Sequence, residues 1–299
     1  MAYNRSDIGD EIKSFRNRMR VKEAVIDKNN NNVLDYAVYN AYRDMQPRTI
    51  KGHNIAATQI LREKMAEKFL DYFEGSAPKE RADFDKFHKA SCSYFLRELN
   101  KIVPDPQEFG KAQKFVNMTF KYLYCFDNAE KYEDHFKFCH MPIDSYTLNW
   151  YFDNQKQLQK QKKITKSAIK NWSSLTEGQY GSLKENIREM LPGETPLLVE
   201  FRIWPQEIAK VEEKELAKAI LEYLANSYDS YCSDESFELQ SGDKLVDTLN
   251  GKMKQLNKDR KLDDKRKLDA EKLRQMLDAL SGSSLFAKIN DSLCKFCVK

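Results

Sequence analysis

The chain has 299 residues, 41% hydrophobic, 12% aromatic and 32% charged, which is enough apolar material for a sizeable core and excludes a wholly disordered chain. Its formal charge of +4 is the small difference between 50 basic and 46 acidic side chains, so any case for a nucleic-acid partner must rest on local clusters. With 10 glycines and 8 prolines, the composition weighs against hairpin-rich β folds and toward helices.

In chain order, Met1-Ala-Tyr-Asn-Arg-Ser-Asp lacks the apolar run of a signal peptide, and no stretch approaches the roughly 18 apolar residues of a membrane span. The expectation is a cytoplasmic protein with no membrane partner. Residues 1–50 combine Arg16, Arg18, Arg20 and Lys22 with a polar Asn29–Asn32 run and a Tyr-rich segment, and read as an N-terminal arm with two short elements. From Asn54, Ile60, Met65, Phe69 and Phe73 recur at helical spacing up to Gly75. A second helix is expected from Arg81 to Ile102, stopped by Pro104 and Pro106. A third starts just beyond Asp105 and runs to about Phe126.

Pro142-Ile-Asp144-Ser145 offers a cap for a helix carrying Leu148, Trp150 and Tyr151. The Lys156–Lys170 segment is strongly basic and reads as a solvated surface helix. Trp172-Ser-Ser-Leu-Thr-Glu177 opens an amphipathic region that ends at Leu191-Pro-Gly. Pro196 to Trp204 reads as a short, isolated strand, and Glu207 to Tyr228 as a long helix. Cys232–Gly242 looks like a loop, and Leu245 to Leu280 is a charged region in which lysines alternate with acids. The division expected is 1–50, a helical core over 51–230 and a charged helical extension over 231–299.

Six cysteines, Cys92, Cys125, Cys139, Cys232, Cys294 and Cys297, are scattered through a large chain and suit reduced thiols better than a disulfide framework. Cys294 and Cys297 form the one close pair, and with Cys139-His140 so distant in sequence, no metal site is expected. Gly-x-Ser-x-Gly, P-loop and Rossmann glycine signatures are all absent, and four histidines leave little for His-based catalysis.

Between Asp105 and Phe126 the helical projection sorts the residues. Phe109, Ala112, Val116, Phe120 and Leu123 cluster on one side, while Lys111, Lys114 and Lys121 fall on the other with Asn117 at the border. The plain explanation is a solvated cationic face. Yet Lys114-Phe-Val-Asn-Met-Thr-Phe-Lys121-Tyr, followed by Pro142-Ile143-Asp144, resembles the helix-hairpin-helix DNA glycosylases, most nearly their archaeal branch specialised for 8-oxoguanine. In that family a lysine opening the hairpin's second helix attacks the sugar and an aspartate on the next helical segment assists. The separation 144 − 114 = 30 residues is similar too. The likeness is confined to Asp105–Phe126 and Phe138–Phe152. The family's Leu-Pro-Gly-Val-Gly hairpin is absent, with Gly110 alone remaining, so the choice between Lys111 and Lys114 stays open. The same run resembles a group of uncharacterised bacterial proteins with a His-Cys-Pro-type or Cys-His-Met-Pro-type sequence and an Asp, which implies no settled activity.

The resemblance implies a mainly α, compact multi-helix glycosylase-like bundle with at most one short β element. Lys114 would attack the sugar C1′ with assistance from Asp144, needing no cofactor, on a DNA substrate. A lysine attacks only when neutral, and a helix N-terminus with neighbouring cations favours that form. An ionised aspartate steadies positive charge at the anomeric carbon. An extruded base would need a pocket. Gln113, Asn117, His140, Trp150 and Tyr151 are the candidates for it, with Phe138 and Trp172 as further stacking faces, although each aromatic ring also fits a core position. Lys111, Lys121, Lys160, Lys162, Lys163 and Lys166 are the candidate phosphate contacts. Two other readings use the same residues differently. One is a non-catalytic DNA-binding or defence-associated module on the same fold; the other is a helical protein–protein adaptor that docks a partner through the C-terminal extension.

Overall fold

A computed structural model describes residues 5–27, 31–45, 47, 50 and 54–211, and its helices begin and end largely at the caps and breakers of the sequence. Residues up to Glu207 form one compact unit, which holds every candidate site residue, and a second unit runs from Ile208. The expected 232–242 loop, the extension over 231–299 and the Cys294/Cys297 pair lie outside the described residues, as does most of the helix expected from Glu207 to Tyr228.

The described helices are α1 (Gly9–Met19), α2 (Asn31–Asp44), α3 (Ile55–Glu74), α4 (Arg81–Ile102), α5 (Phe109–Tyr124), the single turn α6 (Glu133–Phe136), α7 (Ser145–Asn154), α8 (Glu177–Met190) and α9 (196–211). The mainly helical class is as expected, and no strand occurs among the described residues. None of the described helices is long and apolar enough to cross a membrane. Local chemistry sets the ends. Asn54 accepts the Ala57 N–H at 3.1 Å to open α3, and Thr176 and Gln179 exchange side-chain-to-backbone bonds of 3.0 and 3.2 Å to open α8.

Helix α5 is the axle. All sixteen of its residues are buried, with α2, α4, α8 and the turn Trp172–Ser174 packed around it. This corrects the expectation that its lysines form a solvated face. A helix enclosed on every side must carry its charges inward, where each needs a partner. Its apolar side anchors the core: Phe115 stacks on Phe95 of α4 at 4.1 Å, and Phe120 sits among Phe69, Tyr72 and Phe84. Each such buried ring contributes about 1.5–3 kcal/mol relative to exposure. Leu34, Ala37, Val38 and Ala41 of α2 belong to the same core, so the N-terminal stretch is built into the bundle.

Two further expectations are corrected. Residues 196–204 are helical, not a strand. Pro196 occupies the first helical position, where its fixed φ and missing N–H carry no penalty, and the apolar run fits either period. The Lys156–Lys170 segment is a chain of short 3-10 turns (Gln155–Gln157, Lys160–Lys162, Lys166–Ala168), not a continuous helix. Between its buried anchors Leu158 and Ile169 only Ile164 is partly buried, so no apolar stripe holds a helix to the core.

Candidate active site

Three segments converge on the start of α5. Asp144 caps α7, its Oδ1 accepting the Tyr146 and Thr147 N–H groups at 2.9 and 3.1 Å. Its other oxygen, Oδ2, is thereby left to face α5, where Lys114 Nζ lies 3.3 Å away. The two side chains are each only 9% exposed. Trp172 covers the pair, with the Lys114 ammonium 4.5 Å and the Lys111 ammonium 5.6 Å from its ring centroid. The sequence-expected Lys114 and Asp144 are thus brought together, and Lys111 stands one turn away. Lys111 Nζ donates to the Met45 carbonyl at 3.1 Å, at the C-terminal end of α2 where a cation is favoured. Burial and then the neighbouring charge of Lys114 push the Lys111 amine down to about 8.

Gly110 makes this lid fit. Its N–H donates to Leu175 O at 2.9 Å, and a Cβ built on it would stand 2.0 Å from the Trp172 carbonyl oxygen. Only glycine lets the 172–175 backbone lie on the first turn of α5. Gly110→Ala is therefore expected to cost about 1–3 kcal/mol and to lift the indole off the lysines. A lowered thermal midpoint together with altered tryptophan fluorescence would report this. An unchanged midpoint would mean the turn can shift freely.

Lys121 is fully buried and ion-paired with Glu200 of α9, which is 1% exposed, while its ammonium lies 4.1 Å from the Phe15 ring, 4.8 Å from Phe201 and 4.8 Å from Trp204. It has no surface from which to reach a phosphate. Burial pushes the Glu200 carboxyl up, with Lys121 opposing. Between the two lysines stands Asp44 at the end of α2, which accepts the Tyr122 hydroxyl at 2.7 Å and whose carboxyl burial also raises. Asp44 and Glu200 escaped the reading of the sequence. Each resembles an ordinary polar helix residue, and their partners are distant along the chain.

The residues expected to line a base pocket are placed elsewhere. Gln113 and Asn117 are fully buried and bond to one another and to backbone, while His140, nearly as buried, bonds to side chains. Tyr180 Oη lies 3.1 Å from Asn117 Nδ2 and 2.8 Å from His140 Nδ1, while His140 Nε2 lies 2.7 Å from Asp85. Arg188 Nη2 also lies 2.9 Å from His140 Nε2, so a neutral imidazole meets Tyr180 at Nδ1 and either donates to Asp85 or accepts from Arg188 at Nε2. Tyr151 is buried, its hydroxyl accepting from Asn186 at 2.8 Å, while Trp150 and Phe138 are half-buried against the core. Lys160, Lys162, Lys163 and Lys166 are exposed on the turns between α7 and Trp172. Lys162 pairs with Glu189 at 2.6 Å, and Lys163 donates to the Lys156 carbonyl at 2.9 Å.

Burial pushes His140 down to about 4 in spite of Asp85, and it lowers His88 as well. Between pH 6.5 and 4 the unfolded His140 binds a proton that the folded one refuses, so stability falls as pH falls through this window. Burial opposes ionisation of Asp85, but bonds from Arg188, His140 and Lys184 hold its carboxyl well below the usual range. That contribution is present above pH 3.8 and is lost further down. A thermal midpoint that declines steadily from pH 7 to 4 is expected; a flat profile would mean His140 is protonated in the fold.

Among the described residues no group of His, Cys, Asp and Glu side chains could hold a metal ion. Comparison with protein-family models, with curated proteins and with solved structures found no match to this chain.

Proposed function

We propose that this protein is a DNA glycosylase-type enzyme whose nucleophile is Lys114 and whose electrostatic assistant is Asp144. The observation that carries the reading is the buried pair itself: an amine 3.3 Å from a carboxylate that already satisfies its cap, under an aromatic lid. A lysine and a carboxylate brought together from separate elements in a covered place can serve as nucleophile and electrostatic stabiliser. In the neutral form, Nζ forms a bond to C1′ as the C1′–N bond to the base breaks. The bonding pair leaves with the base, which takes up a proton, and the carboxylate of Asp144 stabilises the positive charge growing on the sugar. Transfer of one proton from the nitrogen to O4′ as the C1′–O4′ bond opens gives an iminium and a free hydroxyl, and borohydride reduces the iminium to a stable adduct.

The base would be enclosed seven residues further along α5, about 10 Å by helical rise. There Lys121 and Glu200 offer a donor and an acceptor among the rings of Phe15, Phe201 and Trp204, and beyond their ion pair neither Lys121 Nζ nor Glu200 Oε2 has a hydrogen-bond partner among the described residues. Half-buried Trp204 is the ring that would move to admit it. The exposed lysines between α7 and Trp172 would hold the flanking phosphates.

The test is borohydride trapping with the whole chain on duplexes carrying an abasic site or one of a panel of modified bases. A covalent adduct that maps to Lys114 is expected; an adduct at Lys111 would reassign the nucleophile, and no adduct with no base released would overturn the reading. The close enclosure of the pair favours one alternative, a non-catalytic DNA-binding module on the same fold. That alternative predicts salt-dependent DNA binding unchanged in Lys114→Gln.

A further inference from the structure

The extended segment 140–144 runs beside α5 in a defined register. Gln113 Oε1 accepts the Ile143 N–H at 3.1 Å and its Nε2 donates to the Ile143 carbonyl at 2.7 Å, the two-bond exchange that neighbouring strands make. The same amide donates to Gly110 O at 2.9 Å and accepts from Asn117 Nδ2 at 3.2 Å, so both of its donors and both of its acceptor positions are used. One turn along, Asn117 Nδ2 lies 3.3 Å from the Met141 carbonyl. Four helical residues rise about 6 Å and two extended residues about 6.6 Å, so the spacing of 113 and 117 on the helix matches that of 143 and 141 on the segment.

The register of this ladder also governs the reactive pair. The helix and the segment run antiparallel, 113 meeting 143 and 117 meeting 141, and Lys114 and Asp144 are the immediate chain neighbours of the bonded Gln113 and Ile143. Slipping the segment by one residue would turn the Asp144 side chain to the opposite side. The cap ties the Asp144 carboxylate to α7; Gln113 ties that stretch of chain to α5. We infer that Gln113 is a positioning residue whose amide sets the register that aligns Asp144 with Lys114. Its catalytic meaning rests on the glycosylase reading, but the alignment can be measured without it.

The first measurement compares thermal midpoints of the wild type, Lys114→Met, Asp144→Asn and the double variant, and repeats the set in a Gln113→Leu background. Non-additive shifts are expected with Gln113 present and additive shifts with leucine. Non-additivity that survives Gln113→Leu overturns the inference. If the leucine variant does not fold, Gln113→Glu, of nearly the same volume but without the two donors, carries the same expectation and the same overturning result.

The second measurement is the rate of borohydride-trapped adduct on an abasic-site duplex. Gln113→Leu is expected to slow it about 100-fold, as a misplacement near 1 Å does, and to cause no further loss in an Asp144→Asn background. A further loss in that background would show that Gln113 acts by another route and overturn the inference. No adduct from the wild type on any duplex would overturn the glycosylase reading, while the midpoint cycle still decides the role of Gln113.

Discussion

Replacing Asp144 with asparagine is expected to slow base release by about 100- to 1000-fold while leaving the protein folded. Asparagine caps helices about as well as aspartate, and its side-chain oxygen can still accept the Tyr146 and Thr147 N–H groups. What disappears is the negative charge 3.3 Å from Lys114, which would be the group that steadies the sugar as the base departs. Lys114→Gln removes the proposed nucleophile and is expected to reduce the trapped adduct to background. Single-turnover base release and adduct yield on whichever duplex the wild type accepts measure both effects. A wild-type rate from Asp144→Asn would mean that the carboxylate is only a cap.

Lys121→Met has the largest expected effect on stability, a loss of about 3–5 kcal/mol, because it strands Glu200 as an unpaired buried carboxylate. The double variant Lys121→Met/Glu200→Leu is expected to regain most of that loss, since apolar groups of similar size suit a box walled by Phe15, Phe201 and Trp204. The pH dependence separates this cause from simple loss of packing. Without Lys121, the carboxyl of Glu200 is raised further by burial, so the folded state binds a proton that the unfolded state has lost, and stability falls as pH rises. Chemical denaturation of Lys121→Met should therefore show greater stability at pH 5 than at pH 7, and the double variant should lack that slope. A single variant as stable as the wild type would show that water reaches the box.

Much of the bundle was legible because its boundaries are set by local chemistry. The Arg81 start of α4 and its stop before Pro104, the Asn54 cap of α3 and the Asp144 cap of α7 all act within a few residues of themselves. The environment of the lysines was not legible. A lysine every turn or two reads as solvated surface, and only the fold reveals that Asp44, Asp144 and Glu200 arrive from three other helices to receive the charge. The apolar run from Pro196 illustrates the same limit: nine residues satisfy two periodicities, and packing against neighbours decides between them. Gln113 and Asn117 looked like pocket residues because polar side chains on a helix border usually face an opening. Here they face a backbone that needs partners.

The enclosure of α5 on all sides also bears on how the molecule moves. An axle whose every residue is covered exposes its amide hydrogens only when its surroundings come away, so its exchange with solvent deuterium should be the slowest in the bundle and track global unfolding. Whatever reaches Lys114 must then be admitted by displacement of the outer elements, the 172–175 turn foremost, while the helix bearing the amine stays still.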